Sequence, residues 1–121
     1  MKQFIVIAVL FLALFTGCNK SGSGTTTVEY QVATTNSSSI DISYTNAAGT
    51  KTQLNTTTSW VFDIVNPTRP FAASIQASSH SPFSSITTTC TVTVLVNGSV
   101  VKTNTSSSNT IAVAEADYNL Q

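Results

Sequence analysis

One histidine, two cysteines and five carboxylates are the side chains of this 121-residue chain from which a reactive centre could be assembled. A single imidazole, His80, cannot build a multi-histidine zinc site and leaves one candidate general base. It stands in Ala77-Ser78-Ser79-His80-Ser81-Pro82, a loop by composition, with Ser79 and Ser81 close in sequence. An activated serine also needs an orienting group and an oxyanion site, and no Gly-x-Ser-x-Gly occurs, so His80 is expected to be a solvated loop residue. Cys90 shares a strand face with Thr88 and Val92, an apolar setting that disfavours the thiolate and makes packing its expected role. Glu29, Asp41 and Asp63 fall on the polar rows of different strands. A cross-strand pair of them could act as acid and base in the manner of a glycosidase, but no insertion long enough to wall a sugar groove is visible, and solvation is the expectation. Glu115 and Asp117 alternate with Ala114 and Ala116 and read as a charged edge that discourages sheet-to-sheet association. The expectation is therefore no catalysis, no metal and no cofactor.

Composition narrows the partners. Charged residues are 8% of the chain, against about 25% in an average soluble domain. Ser and Thr fill 38 of 121 positions, so solubility rests on hydroxyls. From Cys18 onward, Lys20, Lys51, Arg69 and Lys102 stand against Glu29, Asp41, Asp63, Glu115 and Asp117, a net −1 with no basic cluster. Nucleic acid is excluded, because phosphate neutralisation needs clustered Lys and Arg.

Lys2 precedes Phe4 to Phe15, a run of 12 apolar residues. That suits the core of a signal peptide and is too short for a transmembrane helix, which needs about 20. Phe15-Thr16-Gly17-Cys18 then resembles the lipobox of bacterial lipoproteins, with Phe15 where Leu is usual. Thr16 and Gly17 are small enough for a peptidase site, and Cys18 is the side chain able to take a thioether-linked diacylglycerol. Acyl chains at about 0.8 kcal/mol per buried CH₂ then hold the protein to a membrane, palmitate being the expected label. With Cys18 lipidated, Cys90 has no disulfide partner and no thiolate metal site remains. The other reading is an ordinary secretory signal cut elsewhere. Residues 1–17 are thus read as signal peptide, 18–24 as lipidated cysteine and Gly/Ser tether, and 25–121 as one domain. Asn19 is not the Asp that retains lipoproteins in the inner membrane of enteric bacteria, which favours an outer membrane where one exists.

From Thr25 onward apolar residues recur at period two, not 3.6, so strands must position whatever the domain presents. Val28, Tyr30 and Val32 make one row, and Ile40, Ile42 and Tyr44 the next. Asn46-Ala47-Ala48-Gly49 is a hairpin turn before the polar segment Thr50 to Asn55. Trp60, Phe62 and Ile64 oppose Val61, Asp63 and Val65; Phe71, Ala73, Ile75 and Ala77 follow. A long strand is expected from Ile86 to Val96. Asn97-Gly98 is the strongest turn signal, predicting the pairs Val96 with Ser99, Leu95 with Val100 and Val94 with Val101. A last strand runs from Thr110 to Leu120 after a loop at Ser106 to Asn109. Seven or eight short antiparallel strands predict an all-β, immunoglobulin-like sandwich. Val61, Val65, Leu95 and Val100 lie on rows opposite the core and, if exposed together, form a partner surface.

Tyr30-x-Val32, Ile42-x-Tyr44-x-Asn46-x-x-Gly49-x-x-x-Gln53, Ser59-Trp60 and Val94-x-Val96-Asn97-Gly98-x-Val100-Val101 together resemble the extracytoplasmic domain of the MmpS family and similar small bacterial lipoproteins. MmpS proteins are accessory partners of large lipid and siderophore exporters. The likeness covers most of residues 28–115 and consists of core and turn positions, with a lipobox where MmpS proteins have a transmembrane helix. It implies a lipid-anchored, non-enzymatic binding or transport-accessory module of the cell envelope, its partners the membrane through Cys18 and an envelope protein or transporter. The alternative expectation is a structural or adhesive surface subunit.

Overall fold

The computed structural model describes residues 25–121. Positions 1–24, on which the expected signal peptide, lipobox, lipidated Cys18 and tether fall, lie outside the described residues. Eight strands follow: β1 (Thr27–Thr35), β2 (Ser39–Thr45), β3 (Lys51–Thr56), β4 (Trp60–Val65), β5 (Phe71–His80), β6 (Thr88–Val96), β7 (Ser99–Ser108) and β8 (Ile111–Leu120). All pair antiparallel, in two four-stranded sheets ordered β4-β1-β6-β7 and β3-β2-β5-β8, here sheets A and B. The fold is an all-β sandwich.

The two orders are related: adding or subtracting four in each strand number turns β4-β1-β6-β7 into β8-β5-β2-β3, which is sheet B read backwards. Each half of the domain therefore gives two strands to each sheet, and neither half closes a core alone. Alternation explains why the sheets stack. Val28, Tyr30 and Val32 of β1, Ile40, Ile42 and Tyr44 of β2, Ile75 and Ala77 of β5, and Cys90, Val92 and Val94 of β6 point into one shared core. Full burial of a Val- or Ile-sized side chain is worth roughly 1.5–3 kcal/mol, so these rows outweigh the weak propensities of a Ser- and Asn-rich chain.

Side-chain size shapes the two lateral edges differently. On β8 the inward row is Ala112, Ala114 and Ala116, small enough for β8 to lie close against β6 and β7 of the other sheet. At the opposite edge, bulky rings span the gap. Tyr44 of sheet B packs on Trp60 and Phe62 of sheet A, with centroids 5.0 and 4.9 Å away, and Trp60 and Phe62 stack within 2° of parallel.

Turns set the register. Asn97 (φ 51) and Gly98 (φ 81) both adopt positive φ, as a type I′ turn demands, and fix Val96↔Ser99 and Leu95↔Val100. The expected third pair, Val94 with Val101, does not form. The register shifts at Val94/Leu95 and Val94 pairs with Lys102, because the extra residue of this bulge is Val101, whose side chain packs against the core. Two boundaries also differ from expectation. β6 starts at Thr88, since Ser81 Oγ, with one proton to donate, lies within hydrogen-bond reach of Phe83 O (2.7 Å) and Ile86 O while Ile86 N donates to Phe83 O (3.0 Å), holding 81–87 as a loop. β7 runs on to Ser108, where hydroxyl pairs with β6 extend the ladder past a polar stretch that composition marks as loop.

The described chain starts at a pole shared with the β2–β3, β4–β5 and β6–β7 connections and with Gln121. Asn66 Oδ1 accepts from Thr26 N (2.8 Å) and Asn97 Oδ1 from Thr27 N (2.9 Å). Arg69 donates to Thr26 Oγ1 (2.7 Å) and to Gln121 O (2.8 Å). These bonds clamp the start of the described residues and Gln121 to this pole.

Candidate functional site

The outer faces of the two sheets carry the candidate residues. On sheet A, pairing puts Asp63 (β4), Glu29 (β1), Leu95 (β6) and Val100 (β7) in one row across four strands. Val61 and Val65 flank Asp63 on β4. The structure thus brings Val61, Val65, Leu95 and Val100 to one face, split by two carboxylates. Val61, Val65 and Val100 are exposed (59, 61 and 53%). Leu95 departs from the expected exposure at 3%: it is buried yet lies outside the core cluster, on an inner strand at the bulge between Val94 and Leu95.

From the sequence Glu29, Asp41 and Asp63 are expected to be solvated, and which of them could meet across strands is left open. Glu29 and Asp63 are direct cross-strand partners, which period-two patterning cannot reveal without knowing that β4 pairs with β1. Burial pushes the Glu29 carboxyl up from its ordinary value, Asp63 pushes the same way, and a hydrogen bond donated by Gln31 Nε2 opposes them. The rest of this face is a hydroxyl ladder between β6 and β7: Thr89 with Ser107, Thr91 with Thr105 and Thr93 with Thr103, at 3.1, 3.0 and 3.2 Å.

On sheet B the largest correction concerns His80. It is the last residue of β5, not part of a loop, and faces outward on a rigid strand. Register sets Asp41 opposite Ser78 and Asn55 opposite Asp41, which brings His80 diagonally onto Asp41. His80 Nε2 lies 2.8 Å from Asp41 Oδ2, and Asn55 Nδ2 donates to Asp41 Oδ1 at 2.6 Å. The Asn55 bond, then His80, holds the Asp41 carboxyl below its usual range. A shallow depression of about 470 Å³ opens beside this trio, its polar lining being Asp41, Ser43, Gln53, Asn55, Gln76 and Ser78. Ser79, a sequence neighbour of His80, points the other way, buried and hydrogen-bonded to Thr88, so it is not presented to the imidazole. Ile111, Val113 and Phe83, none singled out by the sequence, are exposed nearby at the far pole.

Cys90 is buried and free, its Sγ 3.7 Å from Ala77 O, and burial pushes its thiol up. Glu115 and Asp117 line the outer side of edge strand β8. Among the described residues no three His, Cys, Asp or Glu side chains gather to hold a metal ion. Compared with known proteins, the chain matches no protein-family model and no curated protein sequence.

Proposed function

We propose that this chain is a lipid-anchored, non-enzymatic binding or transport-accessory module of the bacterial cell envelope, an immunoglobulin-like sandwich that is cut before Cys18 and docks an envelope protein or transporter. The observation that carries the docking part is the sheet A face: Val61 and Val65 on edge strand β4 and Val100 on edge strand β7 stand exposed on regular strands, on the same face as Leu95. Apolar side chains held on a rigid sheet are a recognition surface whose ordering cost is already met. The anchoring part rests on Phe15-Thr16-Gly17-Cys18. The pole where Thr26 is clamped would then face the membrane, with the sheet faces free at its flanks.

Two measurements test this reading. Labelled palmitate is expected on the wild-type chain and absent from Cys18→Ala, which should leave the membrane fraction. A photo-crosslinking residue at Val61 or Val100 in intact membranes is expected to capture one discrete envelope protein, while the same residue at Ser78 on sheet B does not. Equal labelling of both chains removes the anchor; indiscriminate capture from both faces removes the docking surface. The structural or adhesive alternative is favoured by the four open edge strands β3, β4, β7 and β8, and predicts ordered oligomers by light scattering.

A further inference from the structure

The depression on sheet B is a different surface from the docking face, on the opposite side of the sandwich. We infer that it is a binding site for a neutral saccharide.

Its six polar side chains stand in two adjacent rows across β3, β2 and β5: Asn55, Asp41 and Ser78 in one, Gln53, Ser43 and Gln76 in the next. Strand spacing near 4.8 Å and a two-residue repeat of about 6.7 Å spread these groups over roughly 10 by 7 Å, a footprint that a disaccharide covers. Among the described residues, the side chains of Ser43, Gln53, Gln76 and Ser78 make no hydrogen bond to protein, in contrast to the paired hydroxyls that cover the outside of sheet A. Hydroxyls and carboxamides both donate and accept. The ligand that satisfies all four has groups that also do both, and the hydroxyls of a sugar are such groups.

Charge and hydrogen-bonding capacity together narrow the other polar classes. A phosphate or sulfate only accepts and would lie against the Asp41 carboxylate. An ammonium or guanidinium only donates, leaving the amide N–H groups of Gln53 and Gln76 unmatched. Asp41 itself suits a sugar: Asn55 and His80 fix its plane, each oxygen keeps a lone pair, and hydroxyl donation to a carboxylate is stronger than to a neutral acceptor. Val113 ends the first row, exposed on β8, and offers an apolar step to the C–H face of a ring. An extended peptide fits less well: β3, which lines the depression, has a free backbone edge, but a peptide added there would lie in the plane of the sheet beside the two rows of side chains and not over them.

The test uses the full chain in a sugar-free detergent, titrated with maltose, cellobiose and N,N′-diacetylchitobiose, and with an unstructured Ser/Gln peptide as the competing ligand class. The readout is the side-chain amide NMR signals of Gln53, Gln76 and Asn55. At least one disaccharide is expected to shift them saturably with a Kd in the millimolar range or tighter. Gln53→Ala with Gln76→Ala should weaken that binding about tenfold or more, and Gln31→Ala on the other sheet should leave it unchanged. Spectra of the variants that otherwise overlay the wild type exclude misfolding as the cause. Saturable binding of the peptide alone, a saccharide Kd that the double variant does not move, or no response to any of these sugars at about 100 mM overturns the assignment.

Discussion

Replacing Tyr30 with Phe isolates one atom that crosses the sandwich. Tyr30 springs from sheet A and is fully buried, yet its hydroxyl donates to Thr45 O (2.9 Å) and accepts from Ser74 N (3.3 Å), both in sheet B. Phe keeps the ring and its contact with Tyr44 at 5.8 Å. What is lost is a partner for a carbonyl and an amide that water reaches poorly, at about 2 kcal/mol. For a domain of this size that is a fall in Tm of roughly 10 °C. The same burial pushes the Tyr30 phenol up to about 12, against the Ser74 amide, which lowers it. An acid that ionises later in the folded state stabilises the fold fully below the unfolded value near pH 10; above that, the unfolded chain sheds the proton first. Wild-type stability should therefore decline between about pH 10 and 12 by roughly 2–3 kcal/mol at this site, and the Phe variant lacks that decline. Urea unfolding followed by Trp60 fluorescence, at about pH 8 and about pH 11.5, measures both arms. The variant should be less stable at the lower pH, with the gap shrinking at the higher. A gap under about 0.5 kcal/mol at pH 8, or one that does not change with pH, refutes the reasoning.

Three further outcomes follow from the geometry. In a Cys18→Ala chain the native Cys90 thiol should stay inert to a disulfide reagent and react with one equivalent only after denaturation, since its burial disfavours the thiolate; this is read by absorbance. Asn97→Gly should cost less stability than Asn97→Ala in urea melts: both lose the bond to Thr27 N, but only Gly accepts φ 51 without strain, and the Ala variant should lose about 1–2 kcal/mol. Glu29→Gln should raise stability at neutral pH. The raised carboxyl of Glu29 contributes stability below its unfolded value of about 4.5 and loses it as pH rises through the folded value, so removing the charge spares the fold that loss, and the urea midpoint of the variant should vary less between pH 4 and 7.

Which side of each strand faces the core could be read directly, because period-two alternation is a local property: Val28, Tyr30 and Val32 or Ile40, Ile42 and Tyr44 need no partner to be recognised as inward rows. The Asn97-Gly98 turn was legible for the same reason. What the sequence hides is anything that depends on non-local order. Glu29 meets Asp63 across 34 positions only because β4 pairs with β1, and His80 reaches Asp41 only because β5 pairs with β2. His80 also looked like a loop residue because Ser78, Ser79 and Ser81 have turn-like composition; pairing with Ile111 and Ser39 overrides that propensity. Leu95 differs for a related reason: its place on an inner strand between Glu29 and Val100 is set by pairing, which alternation does not show.

The exchange of strands between halves explains why the two outer faces can be so unlike. The inward rows are coupled, since residues from both halves share one core cluster, and a change there is felt across the molecule. Outward rows have no such coupling. Sheet A can gather Val61, Val65 and Val100 around two carboxylates while sheet B gathers amides and hydroxyls around Asp41, with no shared side chain between them. Substitutions on one face should leave the chemistry of the other untouched, which is the condition for the proposed docking face and the proposed saccharide site to act independently.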